Sequence, residues 1–88
     1  MIENPDITIL GDGGWGTTLA ILLSRKSFKV RLWGAFADYA RYLDKKRVNT
    51  KFLPGFKIPK QVDITHDLKS SIENSRLIIF AIPSQHMR

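Results

Sequence analysis

The sequence predicts an α/β fold, a parallel sheet whose strands alternate with covering helices. Two observations carry that expectation. Short apolar, β-branched runs recur four times along the 88 residues, and the stretches between them show helical spacing. The last run, Leu77-Ile78-Ile79-Phe80-Ala81-Ile82, is apolar on both faces, as a strand sandwiched between two layers must be.

The elements follow in order. Ile7, Ile9 and Leu10 come after the turn signal Asn4-Pro5-Asp6 and predict strand one over residues 6–10. From Gly14 or Trp15 the period changes to that of a helix. Leu19, Leu22 and Leu23 form its stripe, Ala20 and Ile21 widen it, and it runs to Arg25. Residues 29–33 alternate again as strand two. Phe36, Tyr39, Ala40 and Leu43 share one stripe, predicting a helix over residues 35–46. Residues 49–60 hold Leu53-Pro54-Gly55 and Ile58-Pro59, so they read as a loop. Residues 61–65 are a short third strand, residues 67–74 a short helix, and residues 76–82 a fourth strand stopped by Pro83.

Right-handed crossovers then give the spatial order 3-2-1-4, with helices on both faces. The fourth strand fits a central position, buried on both sides. So apolar a strand should not stand as a bare edge. The expectation is therefore that residues 1–88 are the N-terminal part of a dinucleotide-binding domain. The rest of that domain and a C-terminal substrate domain would lie outside this chain.

Composition narrows the function. The chain has no cysteine, which removes disulfides, thiolate metal sites and cysteine nucleophiles. Its longest apolar run is six residues, too short to span a bilayer, and the N-terminus does not read as a secretory signal. A cytoplasmic protein with no membrane span is expected. Net charge is +6, and seven of the 14 basic residues lie between Arg41 and Lys60, opposed only by Asp44. Such a patch suits nucleic acid, an acidic membrane surface, a phosphorylated ligand, or simple solvation. No recognition-helix or RNP-type signature accompanies it, so nucleic acid is not the expected partner. His66 and His86 lack metal-ligand spacing, and Asp67 reads as a helix-start residue rather than an acid–base catalyst.

The chemistry lies in "GDGGWG". Gly11, Gly13 and Gly16 form G-x-G-x-x-G between a predicted strand and a predicted helix, the context that gives the pattern meaning. The first glycine permits the turn, the second lets a pyrophosphate reach bare amides, and the third lets helix and strand pack closely. The helix N-terminus adds unpaired N–H groups and partial positive charge. The fold is thus expected to be a partial Rossmann-like sheet that binds a dinucleotide. Trp15 either covers that cofactor or packs on a neighbouring loop. The acidic residue that grips the adenosine ribose belongs near the end of strand two, where Trp33-Gly34-Ala35-Phe36 carries none. A tolerated 2′-phosphate is the expected consequence, with a basic residue from 41–51 assisting.

In order and spacing, "GDGGWGTTLA", "RLWG", "RVNTKFLPGFKIP" and "IIFAIPSQHMR" resemble the N-terminal domain of NAD(P)-dependent glycerol-3-phosphate dehydrogenase over nearly the whole chain. The resemblance implies hydride transfer between NAD or NADP and the pair dihydroxyacetone phosphate and sn-glycerol 3-phosphate, feeding glycerophospholipid synthesis. It implies that Gly11, Gly13, Gly14, Trp15 and Gly16 form the cofactor loop. Ala35 stands where many bacterial members carry Arg or His at the adenosine end. Gly14 stands where Ser or Asn is common, and Phe52 where Tyr is common. Pro83 and His86 would lie near the cofactor at the mouth of strand four. The family's catalytic lysines and substrate-phosphate ligands come later in its chains, so no catalytic residue is expected here. A homodimer is the implied assembly. Two other classes stay open: a nucleotide-binding module that senses rather than catalyses, and another Rossmann dehydrogenase.

Overall fold

The computed structural model describes residues 4–81. In chain order the elements are β1 (Ile7–Leu10), α1 (Gly14–Arg25), β2 (Val30–Trp33), α2 (Ala37–Lys46), β3 (Val48–Asn49), β4 (Leu53–Lys57), β5 (Asp63–Thr65), α3 (Leu68–Ile72) and β6 (Leu77–Phe80). Four of the strands make one parallel sheet ordered β5-β2-β1-β6. Numbered among themselves, these are the 3-2-1-4 of the sequence expectation.

Register explains the layering. Ile7 lies beside Val30, Ile9 beside Leu32, and Leu32 beside Ile64. Because side chains alternate along a strand, these five share one face. They join Ala20 and Ile21 of α1 and Ala40 and Leu43 of α2 in one buried cluster. The other face is polar. There Thr8 lies beside Arg31 and Arg31 beside Asp63. Helix α3 covers it: Thr8 Oγ1 donates to the Ser71 carbonyl at 2.9 Å and Arg31 Nη1 to the Ser70 carbonyl at 2.8 Å. Arg31 Nε also meets Asp63 Oδ2 at 2.9 Å, both side chains being largely buried. Helices thus flank both faces, one docked by hydrocarbon and the other by hydrogen bonds.

Three local expectations need correction. The helical stripe of α1 is rotated: Gly16, Thr17, Ala20, Ile21 and Ser24 are buried, while Leu22 is exposed. Small residues take the sheet side because the helix packs close, and the larger Leu19 and Leu23 fill its flanks. Helix α2 starts at Ala37, with Phe36 as its exposed N-cap rather than a core residue.

The stretch read as a loop, residues 49–60, contains most of an antiparallel hairpin, β3 with β4. Pro54 is tolerated because, among the described residues, β4 pairs only with β3, and a strand with a free edge needs no N–H on that side. Gly55 takes φ +89°, a conformation that side chains resist. At the end of α2, Arg47 adopts φ 59°, and its guanidinium donates to the carbonyls of Asp44, Pro59 and Val62. One member of the basic patch therefore clamps the return from the hairpin to β5.

The fourth strand stands at the end of that order. Among the described residues β6 pairs only with β1, and Leu77, Ile78 and Phe80 are exposed. Its apolar character is that of a buried strand, but here it forms the sheet border. Pro83 and His86 lie outside the described residues.

Candidate functional site

The carboxyl end of β1 leads directly into α1, and the glycines shape that bend. Gly11 takes φ +128°, and its N–H donates to the Trp33 carbonyl at 2.9 Å, holding the turn to the end of β2. A Cβ on Gly16 would lie 1.8 Å from the Gly11 carbonyl oxygen and 3.3 Å from Ala81 Cβ. The helix therefore rests on the turn that starts it. A Cβ on Gly14 would lie 2.9 Å from the Phe52 carbonyl oxygen, so this glycine admits the hairpin. Gly13 differs from both: nothing stands within 4 Å of where its Cβ would be. Gly13 is the N-cap of α1, with no side-chain cap and no acidic residue in the first turn.

The loop is held by a buried asparagine. Asn49, fully enclosed, donates from Nδ2 to the Asp12 carbonyl and to Thr17 Oγ1, each at 2.7 Å. Its Oδ1 accepts from Tyr39 Oη and from the Phe52 N–H. Thr17 Oγ1 in turn donates to the Asp12 carbonyl at 3.2 Å. Loop, α2 and hairpin are thereby tied at one point. Phe52 packs edge-on against Tyr39, and the Lys51 ammonium lies 5.5 Å from the Phe52 ring centroid. Burial pushes the Tyr39 hydroxyl pKa up, partly offset by the hydrogen bond from Lys51 N–H.

What this arrangement offers chemically is an anion cradle. The first amides of a helix have no intrahelical acceptor, and here no side chain competes for them. The open side at Gly13 admits a group of atomic bulk, while Gly16 has no room to spare against the Gly11 carbonyl. The residues fit an anionic group such as a pyrophosphate at the first turn of α1.

The model of the family described as "NAD-dependent glycerol-3-phosphate dehydrogenase N-terminus" matches residues 6–88. The chain belongs to that family. Its relatives include glycerol-3-phosphate dehydrogenase [NAD(P)+] of Chlorobium phaeobacteroides (strain BS1), 43% identical over 82 residues, which is 93% of this chain and 25% of the relative. The protein of the same name from Syntrophomonas wolfei is 42% identical over 84 residues, 96% of this chain and 24% of the relative. Among solved structures, the glycerol-3-phosphate dehydrogenase of Coxiella burnetii superposes with a TM-score of 0.84 at 38% identity, covering 94% of this chain and 26% of that one. That of Plasmodium falciparum gives 0.78 at 28% identity, covering 96% and 26%. The chain spans about a quarter of the length of these relatives.

Within the matched region, the expected site residues fall into four groups. Gly11, Gly13, Gly14, Trp15 and Gly16 form the bend itself, with Trp15 66% exposed above it. Phe52 is brought to the loop by its carbonyl next to Gly14. Ala35 lies exposed just after Gly34, beyond the end of β2. Pro83 lies outside the described residues. Among those residues no group of three His, Asp or Glu is placed to hold a metal ion.

Two residues escaped the sequence reading. Asn49 is one, although it opens the quoted "NTKFLPG"; nothing in the spacing says that an asparagine 32 positions from Thr17 will reach it. Asp12 is the other. Its Oδ2 is sealed from solvent and has no hydrogen-bond partner among the described residues.

Burial raises the Asp12 carboxyl pKa above its ordinary 3.8, opposed by its own backbone N–H. The raised value means that the folded chain binds this proton more tightly than the unfolded chain does. The Asp12 contribution to stability is thus best in acid, falls as pH rises above 3.8 through the folded value, and stays low at neutral pH. Asp12→Asn removes this dependence. Urea midpoints compared from acid to neutral pH are expected to show the variant gaining on the wild type as pH rises. A difference that is flat with pH would contradict burial as the cause.

Proposed function

We propose that this chain is the cofactor-binding part of an enzyme that interconverts dihydroxyacetone phosphate and sn-glycerol 3-phosphate, using NAD(H) or NADP(H). The observation that carries this reading is the uncovered Gly13 at the start of an uncapped, acid-free helix turn, with Gly11 and Gly16 closed against each other beneath it. Family membership supplies the substrate pair. The bound nicotinamide would supply or accept the hydride. The first-turn amides of α1 would neutralise the pyrophosphate, and Asn49 would keep the bend at the geometry that this requires.

Gly11, Gly13, Gly14, Trp15 and Gly16 are proposed to line the pyrophosphate, Ala35 the adenosine end, and Phe52 and Pro83 the margins. Residues 1–88 are proposed as the N-terminal part of the cofactor domain. The uncovered β6 supports this, since later strands and a helix would cover Leu77, Ile78 and Phe80. No helix among the described residues is long and apolar enough to cross a membrane. A cytoplasmic location and a homodimer are proposed with it, and a role in glycerophospholipid synthesis rests on the resemblance.

The test has two parts. The full-length protein is expected to bind NADH or NADPH saturably, followed by tryptophan quenching through the exposed Trp15. It is also expected to oxidise the reduced cofactor only when dihydroxyacetone phosphate is added. Failure to bind either cofactor would remove the reading; binding without turnover would leave the sensing module.

A further inference from the structure

The end of β2 offers no acid to the adenosine ribose, yet the fold returns one from another direction. Gly34 follows β2 directly and its N–H donates to the Thr65 carbonyl at 2.9 Å. The side chain that binds the ribose 2′-hydroxyl in this fold class projects from about this point. Here the volume that a side chain on Gly34 would take is filled by Asp12. A Cβ at Gly34 would lie 2.2 Å from Asp12 Oδ2 and 2.8 Å from its Cγ. The two positions are complementary: the aspartate reaches the tip of β2 because the tip carries a glycine.

We infer that Asp12 supplies, from within the glycine loop, the ribose-binding carboxylate that β2 lacks, and so favours NAD over NADP. The inference rests on the proposed function and names the specificity of that same site. Three observations support it. Asp12 is fixed, because its carbonyl accepts from Asn49 Nδ2 and Thr17 Oγ1. Its carboxyl is short of donors, with Oδ2 sealed and unpartnered among the described residues while the residue as a whole stays partly exposed. A ribose hydroxyl arriving at the open edge is a donor of the right kind, whereas a 2′-phosphate brings only acceptors and like charge.

Three of the five basic residues in 41–51 already have a partner. Arg41 pairs with Asp38, Arg47 with Asp44, and Lys51 lies over the rings of Tyr39 and Phe52. The end of β2 taken alone suits a tolerated 2′-phosphate; the inferred carboxylate comes from 22 residues earlier and would set the preference.

The experiment is a set of equilibrium titrations on the full-length protein. NADH, NADPH and NADH lacking the adenosine 2′-hydroxyl are each titrated against wild type, Asp12→Asn and Asp12→Ala. Circular dichroism confirms that the variants are folded, and the near-isosteric Asn variant keeps the test valid if Ala disturbs the loop. The wild type is expected to bind NADH at least about tenfold more tightly than NADPH, and each variant to bring that ratio toward one. Removing the 2′-hydroxyl is expected to weaken binding most in the wild type, less in Asp12→Asn, whose amide oxygen still accepts, and not in Asp12→Ala. A wild type without NADH preference, a ratio that both variants leave unchanged, or equal sensitivity of wild type and variants to the missing hydroxyl would overturn the assignment. Each of those results leaves dinucleotide binding intact. Failure of the wild type to bind any of the three removes the proposed function as well.

Discussion

Replacing Gly16 by alanine is expected to cost roughly 3 kcal/mol or more, at or beyond the upper end of ordinary overpacking. It is also expected to abolish measurable cofactor binding. The methyl group would arrive 1.8 Å from the Gly11 carbonyl oxygen, which belongs to the backbone and has no rotamer through which to retreat. Either α1 moves off β1 or the bend opens, and Ala81 at 3.3 Å blocks one escape.

Gly13→Ala is the informative partner. Its methyl meets nothing within 4 Å, and its φ of −70° suits any residue. Stability should fall by no more than about 1 kcal/mol, the usual cost of alanine at an N-cap. Cofactor affinity should nonetheless drop at least about tenfold, because the methyl stands where a pyrophosphate must approach. Denaturant midpoints and cofactor titrations on both variants separate the glycine that the fold needs from the glycine that the ligand needs. Equal stability losses in the two, or undiminished cofactor affinity in Gly13→Ala, would contradict this division.

The second large effect is expected at Arg31. Its guanidinium meets Asp63 at 2.9 Å and the Ser70 carbonyl at 2.8 Å, with 7% of the Arg31 side chain and 14% of the Asp63 side chain exposed. Arg31→Met leaves a carboxylate in a poorly solvated place and should cost about 3–5 kcal/mol, the usual penalty for breaking a buried pair from one side. Arg31→Met combined with Asp63→Leu should recover more than half of that loss. A well-packed apolar replacement of a buried pair is near neutral, although the Ser70 carbonyl still loses its donor. Chemical denaturation of the single and double variants tests this. A single-variant cost below about 1 kcal/mol would show that the pair behaves as an exposed one.

These two sites mark the limits of what the sequence discloses. The glycine bend was legible because its cause is local: a β-strand, three glycines at fixed spacing and a helix lie within 20 residues. The sheet order was legible because alternating elements and right-handed crossovers leave few arrangements. Arg31 was not legible as a buried cation, since "KVRLW" alternates like any half-exposed strand. Only the register that places Asp63 beside Arg31, and α3 above both, makes it internal. The hairpin was missed because Pro54 and Gly55 are strand breakers in a central strand but not at an edge. Asn49 and Asp12 were missed for one reason: each acts on a partner chosen by the tertiary fold, Thr17 for the first and Gly34 for the second.

The neighbours of β1 have a consequence for how the molecule is made. β1 is synthesised before both of its neighbours, β2 and β6, so one of its hydrogen-bonding edges waits for β6. Roughly 50 residues separate Trp33 from Phe80, which at ribosomal rates is a delay of about 2–10 seconds. Through that interval the nascent chain carries an open β1 edge beside a half-built layer. Until β6 arrives, that edge of β1 is open to pairing with another chain.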